Sequence, residues 1–221
     1  MTLRGKNVVW LGNSHSEPGS ISLRHVMEPF FAREGAHLLR WEGRRSWSTG
    51  CYLDGSPCPR GASRPEGVEA MTRGADVVFL ELGANDHPGS DYRGLIRRFI
   101  GAVRSSNPRA QIVWMGPPTA VAPGVRERHD DVASRQRTIV PSDGVRWIDS
   151  RPMTATGHAS DGVHFTRPAY EAWGAQLQRA IRREVARASG MSVLVPIGLG
   201  ALALGGFIWW MERQRPRPAY A

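Results

Sequence analysis

The feature of this sequence that most limits its fold is a regular alternation of short apolar runs with longer amphipathic stretches. Five runs are predicted to be strands, at 7–12, 37–41, 76–82, 111–116 and 145–149. Five stretches between or after them are predicted to be helices, at 21–34, 65–73, 92–105, 125–139 and 167–188. Strands separated by helices pair in parallel and are covered by those helices. The sequence therefore predicts an α/β fold, a three-layer α/β/α sandwich with a five-stranded parallel sheet.

The chain changes character near residue 189. Residues 191–210 carry no charge and end in Trp209 and Trp210, and about 20 apolar residues are enough to span a bilayer. We expect one domain at 1–189, a transmembrane helix at 190–211 and a short basic tail at 212–221. Ala201 and Gly205 form a small-xxx-small pair, which predicts at most a weak homodimer through the span.

The side of the membrane is less well determined. Arginines flank the predicted span on both sides, with a small excess before it, and positive charge favours the cytoplasm. Only four apolar residues, at 8–11, follow the polar start of the chain, too few for the core of a signal peptide. We therefore expect a single-pass C-terminal anchor, with the large domain on the cytoplasmic side.

Charge and cysteine content limit the partners. The net charge is +9, but Lys6 is the only lysine, and the arginines are scattered rather than clustered. Nucleic-acid binding is therefore not expected. Cys51 and Cys58 are too few for a disulfide framework. The two cysteines could form a disulfide in an oxidising compartment or stay thiols in a reducing one. The sequence alone does not indicate which of the two applies.

Residues able to transfer acyl groups follow the predicted strands. Ser14 comes after the first strand, Asn85 after the third, and Asp161 and His164 precede the last helix. Ligand sites in such sheets lie beyond the carboxyl ends of the strands. A serine with a histidine base, an aspartate to orient that base and an amide to hold an oxyanion are the groups that ester cleavage needs.

These blocks, in this order, resemble those of the SGNH (GDSL-type) hydrolase superfamily, which has a flavodoxin-like sheet. The matching segments are GNSHS, the loop after the second strand, GAND, and DGVHFT with its helix. The resemblance implies that Ser14 is the nucleophile and that His164 is the general base and then the acid. It also implies that Asp161 orients His164, and that Asn85 and the Ser14 N–H hold the oxyanion.

The third oxyanion donor of the family is the N–H of a glycine in the loop after the second strand. Gly50 is the nearest glycine, whereas the spacing to Tyr52 favours Ser46. Both remain candidates. A serine there can still donate its backbone N–H, unless the position needs a positive φ. The family's G-D-S block also reads with Asn13 in the middle, a change that we expect to tune activity rather than abolish it.

Simpler interpretations exist for each block taken alone. Ser14 can cap a helix, Asn85-Asp86 can be a plain turn and His164 can be a surface histidine. A metal site from Asp86, His87 and His158 lacks the usual ligand spacing, so neither a metal nor a cofactor is expected.

Together the blocks predict a serine esterase that works through an acyl-enzyme. The expected substrate is a small acyl ester or an acetylated glycan, since Trp47 and nearby polar residues could stack on a sugar. The alternative is a membrane-anchored, non-catalytic SGNH-like module that binds glycans or serves in assembly.

Overall fold

The structure is a computed structural model that describes residues 2–19, 21–53 and 66–188. It contains one parallel sheet with strand order β2-β1-β3-β4-β5. The strands are β1 (Asn7–Gly12), β2 (His37–Gly43), β3 (Val77–Glu81), β4 (Gln111–Met115) and β5 (Arg146–Ile148). The helices are α1 (Arg24–Arg33), α2 (Val68–Met71), α3 (Tyr92–Ser106), α4 (Val125–Ser142) and α5 (Arg167–Ala188). The predicted α/β fold and five-stranded parallel sheet are confirmed.

Alternate residues of each central strand enter two separate cores. Val8 and Trp10 of β1 pack with buried side chains of α1 and α5, whereas Val9 and Leu11 pack with those of α2, α3 and α4. Successive side chains of a strand point to opposite faces. A strand covered on both faces must therefore be apolar along its whole length, as the buried run of β1 is.

The first two helices are shorter than predicted. Helix α1 begins at Arg24 instead of 21, after an N-cap, Leu23, that makes no side-chain capping bond. The nearby Ser22 hydroxyl donates to the Glu17 carbonyl at 3.0 Å. The same hydroxyl accepts the Arg24 backbone N–H at 3.4 Å, so Ser22 links the preceding loop to the first residue of the helix. Helix α2 has four residues, between Gly67 and Thr72.

Several predictions fall outside the described residues. The proposed span at 191–210, the tail at 212–221 and Cys58 all lie there. Among residues 2–19, 21–53 and 66–188, no helix is both long enough and apolar enough to cross a membrane.

Candidate active site

The nucleophile candidate lies on a tight turn after β1. The chain leaves the sheet at Gly12 and forms a 3-10 turn over Ser14–Ser16, which Asn13 caps by accepting the His15 backbone N–H at 3.0 Å. A Cβ on Gly12 would lie 2.5 Å from the Ser16 hydroxyl oxygen, so only glycine fits here. Asn13, His15 and Ser16 are buried, whereas Ser14 is half-buried. The turn therefore presents Ser14 to solvent and hides its neighbours.

Ser14, His164 and Asp161 form one hydrogen-bonded chain. The Ser14 Oγ lies 3.0 Å from His164 Nε2, and His164 Nδ1 lies 2.6 Å from Asp161 Oδ2. Partial burial works to raise the pKa of Asp161, but hydrogen bonds from His164 and from two backbone N–H groups lower it to about 2. An ionised carboxylate only accepts, so His164 donates at Nδ1 and its Nε2 is free to accept the Ser14 proton.

A short turn fixes the aspartate relative to the histidine. The other Asp161 oxygen accepts the backbone N–H groups of Val163 and His164, both at 2.9 Å. Gly162, which follows Asp161 directly, has a φ of +69°, a value that favours glycine. Its N–H donates to the Ala159 carbonyl at 3.0 Å. Residues 161–164 thus form a local turn that holds the Asp161 and His164 side chains together just before α5 begins.

Asn85 connects two strand ends. The turn after β3 requires glycine at Gly83, whose φ is +123° and whose Cβ would lie 2.6 Å from Gln136 Nε2. The half-buried Asn85 then donates its side-chain amide to the Trp47 carbonyl at 3.1 Å. Because an amide group has two N–H donors, this bond leaves one for another acceptor.

The two candidates for the remaining donor, both in the loop after β2, differ in backbone conformation and exposure. Ser46 is the only non-glycine residue with positive φ among the described residues, at +59°, and it is exposed. Gly50 is buried inside a 3-10 turn over Thr49–Tyr52. The left-handed backbone at Ser46 is the conformation that a glycine would adopt readily. Ser46, which the spacing to Tyr52 favours, therefore has the backbone conformation of a glycine position. That positive φ is one that a serine tolerates poorly.

Asp86 holds this loop in place. Its buried carboxylate accepts the Thr49 N–H at 2.6 Å, the Thr49 hydroxyl at 2.7 Å and the Tyr92 hydroxyl at 2.7 Å. Burial raises the pKa of Asp86, and these hydrogen bonds oppose the rise. The aspartate considered above as a plain turn or a metal ligand thus anchors the loop that carries Ser46.

Trp47 does not have the surface role suggested by the sequence. It is buried, packs edge-on against Tyr52 and is covered by the Arg44 guanidinium. The expectation that Trp47 stacks on a sugar is therefore wrong. An aromatic residue in a polar loop indicates exposure only when no nearby core can bury it, and here Tyr52 belongs to such a core.

The histidines near the strand ends have other roles. His158 Nε2 lies 3.0 Å from the Thr119 carbonyl, and the buried His15 Nδ1 lies 3.0 Å from the Tyr170 hydroxyl. Burial, with the nearby His164, lowers the pKa of His15 well below its ordinary value. In the part of the chain that the structure describes, no three acidic, histidine or cysteine side chains cluster to hold a metal.

A cavity of about 410 Å³ opens beside the Ser14 hydroxyl. Its lining residues are Ser14, Glu17, Ile21, Arg45, Asp161 and His164. Arg45 and Glu17 form an ion pair at 2.9 Å on this rim, and Ile21 is the exposed apolar residue. These three residues were not predicted, because nothing in a single sequence indicates which loop side chains meet a strand end.

A fully buried carboxyl beneath the nucleophile turn was also missed. Glu81 ends β3, is 0% exposed and receives hydrogen bonds from Asn13 and Ser16. One signal was present, since Glu81 is the single charged residue of the otherwise apolar strand VVFLE.

A sheet of this order with a serine, a histidine and an aspartate linked at its carboxyl edge defines a serine hydrolase of the SGNH type. Residues 11–172 match the model of the GDSL-like Lipase/Acylhydrolase family, and the chain belongs to that family. It is accordingly an SGNH-type esterase.

Solved structures share the fold at low sequence identity. A candidate arylesterase from Agrobacterium tumefaciens is 24% identical, with a TM-score of 0.62 over 80% of this chain and 99% of that one. The carbohydrate acetylesterase Est24 from Sinorhizobium meliloti is 16% identical, with a TM-score of 0.63 over 80% and 99%. The aryl esterase of M. smegmatis is 16% identical, with a TM-score of 0.62 over 81% and 99%. No curated protein matches the sequence.

Proposed function

We propose that this esterase cleaves small acyl esters through an acyl-enzyme on Ser14. The Ser14 oxygen attacks the ester carbonyl while His164 Nε2 takes its proton, and Asp161 stabilises the resulting imidazolium. His164 then returns the proton to the leaving alcohol, and later activates water to hydrolyse the acyl-Ser14 ester. The single observation that carries this proposal is the continuous hydrogen-bonded chain Ser14–His164–Asp161, at 3.0 and 2.6 Å.

Three donors would hold the oxyanion of the tetrahedral intermediate. They are the backbone N–H groups of Ser14 and Ser46 and the remaining side-chain N–H of Asn85. The left-handed backbone at Ser46 supports its choice over the buried Gly50. Removing one such donor typically lowers kcat by about 10²–10³-fold.

The substrate that the cavity favours is an acetyl or other small acyl ester of a carbohydrate. Ile21 is the single apolar residue that lines the cavity beside Ser14, and the other lining residues carry polar or charged groups. A long acyl chain needs an extended apolar surface, whereas a sugar needs hydrogen-bonding groups such as Glu17 and Arg45. The carbohydrate acetylesterase activity named for one structural neighbour gives this choice further support.

The full chain should be compared with Ser14→Ala on p-nitrophenyl acetate, p-nitrophenyl palmitate and an acetylated oligosaccharide. A matched control is Ser105→Ala, which removes an exposed hydroxyl of α3 that donates to a helix carbonyl. We expect hydrolysis of both acetyl esters by the wild type and the control, and its loss in Ser14→Ala. Equal hydrolysis in Ser14→Ala would refute the nucleophile. A preference for palmitate would refute the substrate class.

We also propose that residues 191–210 anchor the enzyme to a membrane, with the catalytic domain on the cytoplasmic side. The support is the uncharged sequence and its terminal tryptophans. The full chain should stay in the membrane pellet after an alkaline carbonate wash and become soluble in detergent. Release by carbonate alone would contradict the anchor.

A further inference from the structure

The Glu81 carboxylate is tied to the nucleophile turn by three hydrogen bonds. Asn13 donates its side-chain amide to Oε1 at 3.0 Å and its backbone N–H to Oε2 at 3.3 Å, and Ser16 donates its hydroxyl to Oε2 at 3.0 Å. The Ser16 oxygen in turn accepts the Trp10 indole N–H at 2.8 Å. Asn13, directly before Ser14, and Ser16, two residues after it, are therefore bonded to one buried carboxyl group.

We infer that Glu81 is a positioning residue for the nucleophile, acting through Asn13, and that Asn13 is the amide that this buried carboxylate requires. Glu81 touches no reacting atom. Its contacts fix the Asn13 side chain, whose oxygen accepts the His15 N–H and so shapes the turn that points Ser14 Oγ at His164. The inference rests on the proposed role of Ser14.

The identity of Asn13 follows from charge. An aspartate at this position would place a second carboxyl about 3 Å from Glu81 in a fully buried site. Two such carboxyls cannot both ionise, so the pair must keep one proton between them. An asparagine amide supplies a permanent donor instead, and the contact then survives at any pH.

The other groups around Glu81 do not supply a charge that changes this argument. Tyr52 approaches from the loop after β2 and Tyr170 from α5, and His15 lies in the turn itself. Burial, with a contribution from Glu81, raises the pKa values of both tyrosines. The pKa of His15 is lowered by burial. All three are therefore neutral near pH 7. Burial also raises the pKa of Glu81 to about 8, against the hydrogen bonds from Ser16 and Asn13.

The test compares four full-length proteins on p-nitrophenyl acetate between about pH 6 and pH 10: wild type, Glu81→Gln, Asn13→Asp and the double variant. Glu81→Gln should lower kcat about 10- to 100-fold at unchanged KM, because a small displacement of a nucleophile slows chemistry more than binding. Asn13→Asp should approach the wild type while the pair keeps its shared proton and lose activity only well above pH 8, because a second carboxylate holds that proton more tightly than Glu81 alone does. The double variant should lack that alkaline loss, since the introduced glutamine amide donates to the introduced aspartate.

Glu69→Gln, on an exposed carboxyl of α2, is the matched control and should behave as the wild type. A wild-type pH profile in Asn13→Asp would overturn the inference, as would an alkaline loss that persists in the double variant. If Glu81→Gln fails to give a native near-ultraviolet circular dichroism spectrum, the comparison of Asn13→Asp with the double variant decides. Failure of the proposed function has a different signature, which is hydrolysis that survives in Ser14→Ala.

Discussion

At the scale of single residues, the site depends on unequal exposure within short segments. Ser14 is half-buried between fully buried neighbours, and Asp161 and His164 have side chains that are 50% and 41% exposed. Solvent therefore screens the Asp161–His164 pair. We expect Asp161 to act mainly by fixing the tautomer of His164, and less by its charge.

Asp161→Asn tests that expectation. The introduced amide cannot hold the Nδ1–H tautomer, so kcat should fall by about 10⁴-fold, less than the loss for Ser14→Ala. Steady-state kinetics on p-nitrophenyl acetate measure both, with Asp131→Asn as an exposed control on α4. A loss as large as that of Ser14→Ala would mean that Asp161 does more than orient His164.

Ser46→Gly separates the backbone of the loop from its side chain. Glycine adopts the left-handed φ without the steric cost that a Cβ carries, so the free energy of unfolding should rise by up to about 1 kcal/mol. The backbone N–H is retained, and kcat should therefore stay close to the wild-type value. Ser48→Gly, at a φ of −87°, is the control and should not stabilise the protein. A large loss of kcat in Ser46→Gly would assign a role to the hydroxyl instead.

The raised pKa of Glu81 predicts a pH dependence of stability. The folded pKa of about 8 lies above the ordinary value of 4.5. The folded state thus binds the proton more tightly, and this contribution to stability is lost as the pH rises from about 4.5 to about 8. Denaturant unfolding should show that the destabilisation caused by Glu81→Gln shrinks over this range. A destabilisation that stays constant over this range would mean that Glu81 is already ionised in the folded protein.

At the scale of elements, the loop after β2 and the turn after β1 are packed as one unit. A Cβ on Gly43 would lie 2.0 Å from the Ser16 carbonyl oxygen. The Trp41 indole N–H donates to that same oxygen at 2.7 Å, and the Tyr52 hydroxyl donates to the Gly12 carbonyl at 2.5 Å. Any displacement of this loop is therefore transmitted to Ser14.

Gly43→Ala and Gly101→Ala form a matched pair that tests this coupling. The first must push the turn away from the loop, and we expect a loss of stability of about 1–3 kcal/mol together with reduced kcat. The second is in an open position on α3, where alanine should stabilise the helix by up to about 1 kcal/mol without affecting kcat. Thermal melts measure the change in stability of each variant, and initial rates measure the change in kcat. Similar behaviour of the two would argue against coupling.

Element boundaries show where sequence patterns stopped being informative. Helix α5 was predicted in full, because Trp173, Leu177 and Ile181 recur on one face and remain buried. The short helix α2 was predicted too long, since Gly67 and Thr72 bound it more tightly than its apolar spacing suggests. Trp47 packs against Tyr52 in the same loop, and Tyr52 packs in turn against Phe99 of α3, a distant contact that no local pattern encodes.

At the scale of the whole molecule, the sheet order creates the site. β1 lies in the sheet between β2 and β3, so the loops after these three strands meet at one edge. The sequence predicted the strands and the catalytic candidates, since polar blocks after apolar runs are local signals. Apolar strands are alike in pattern, so the strand order was implied only by the resemblance to a family with a flavodoxin-like sheet. The buried Glu81 contact was not predicted, because its two sides are 68 residues apart.

The central claim is that these separate segments make Ser14 a nucleophile. The most direct measurement is reaction of the full chain with a fluorophosphonate, followed by mass spectrometry of its peptides. We predict one adduct, on Ser14, and we expect its formation to slow strongly in His164→Ala. Labelling of another residue, or equal labelling in His164→Ala, would contradict it.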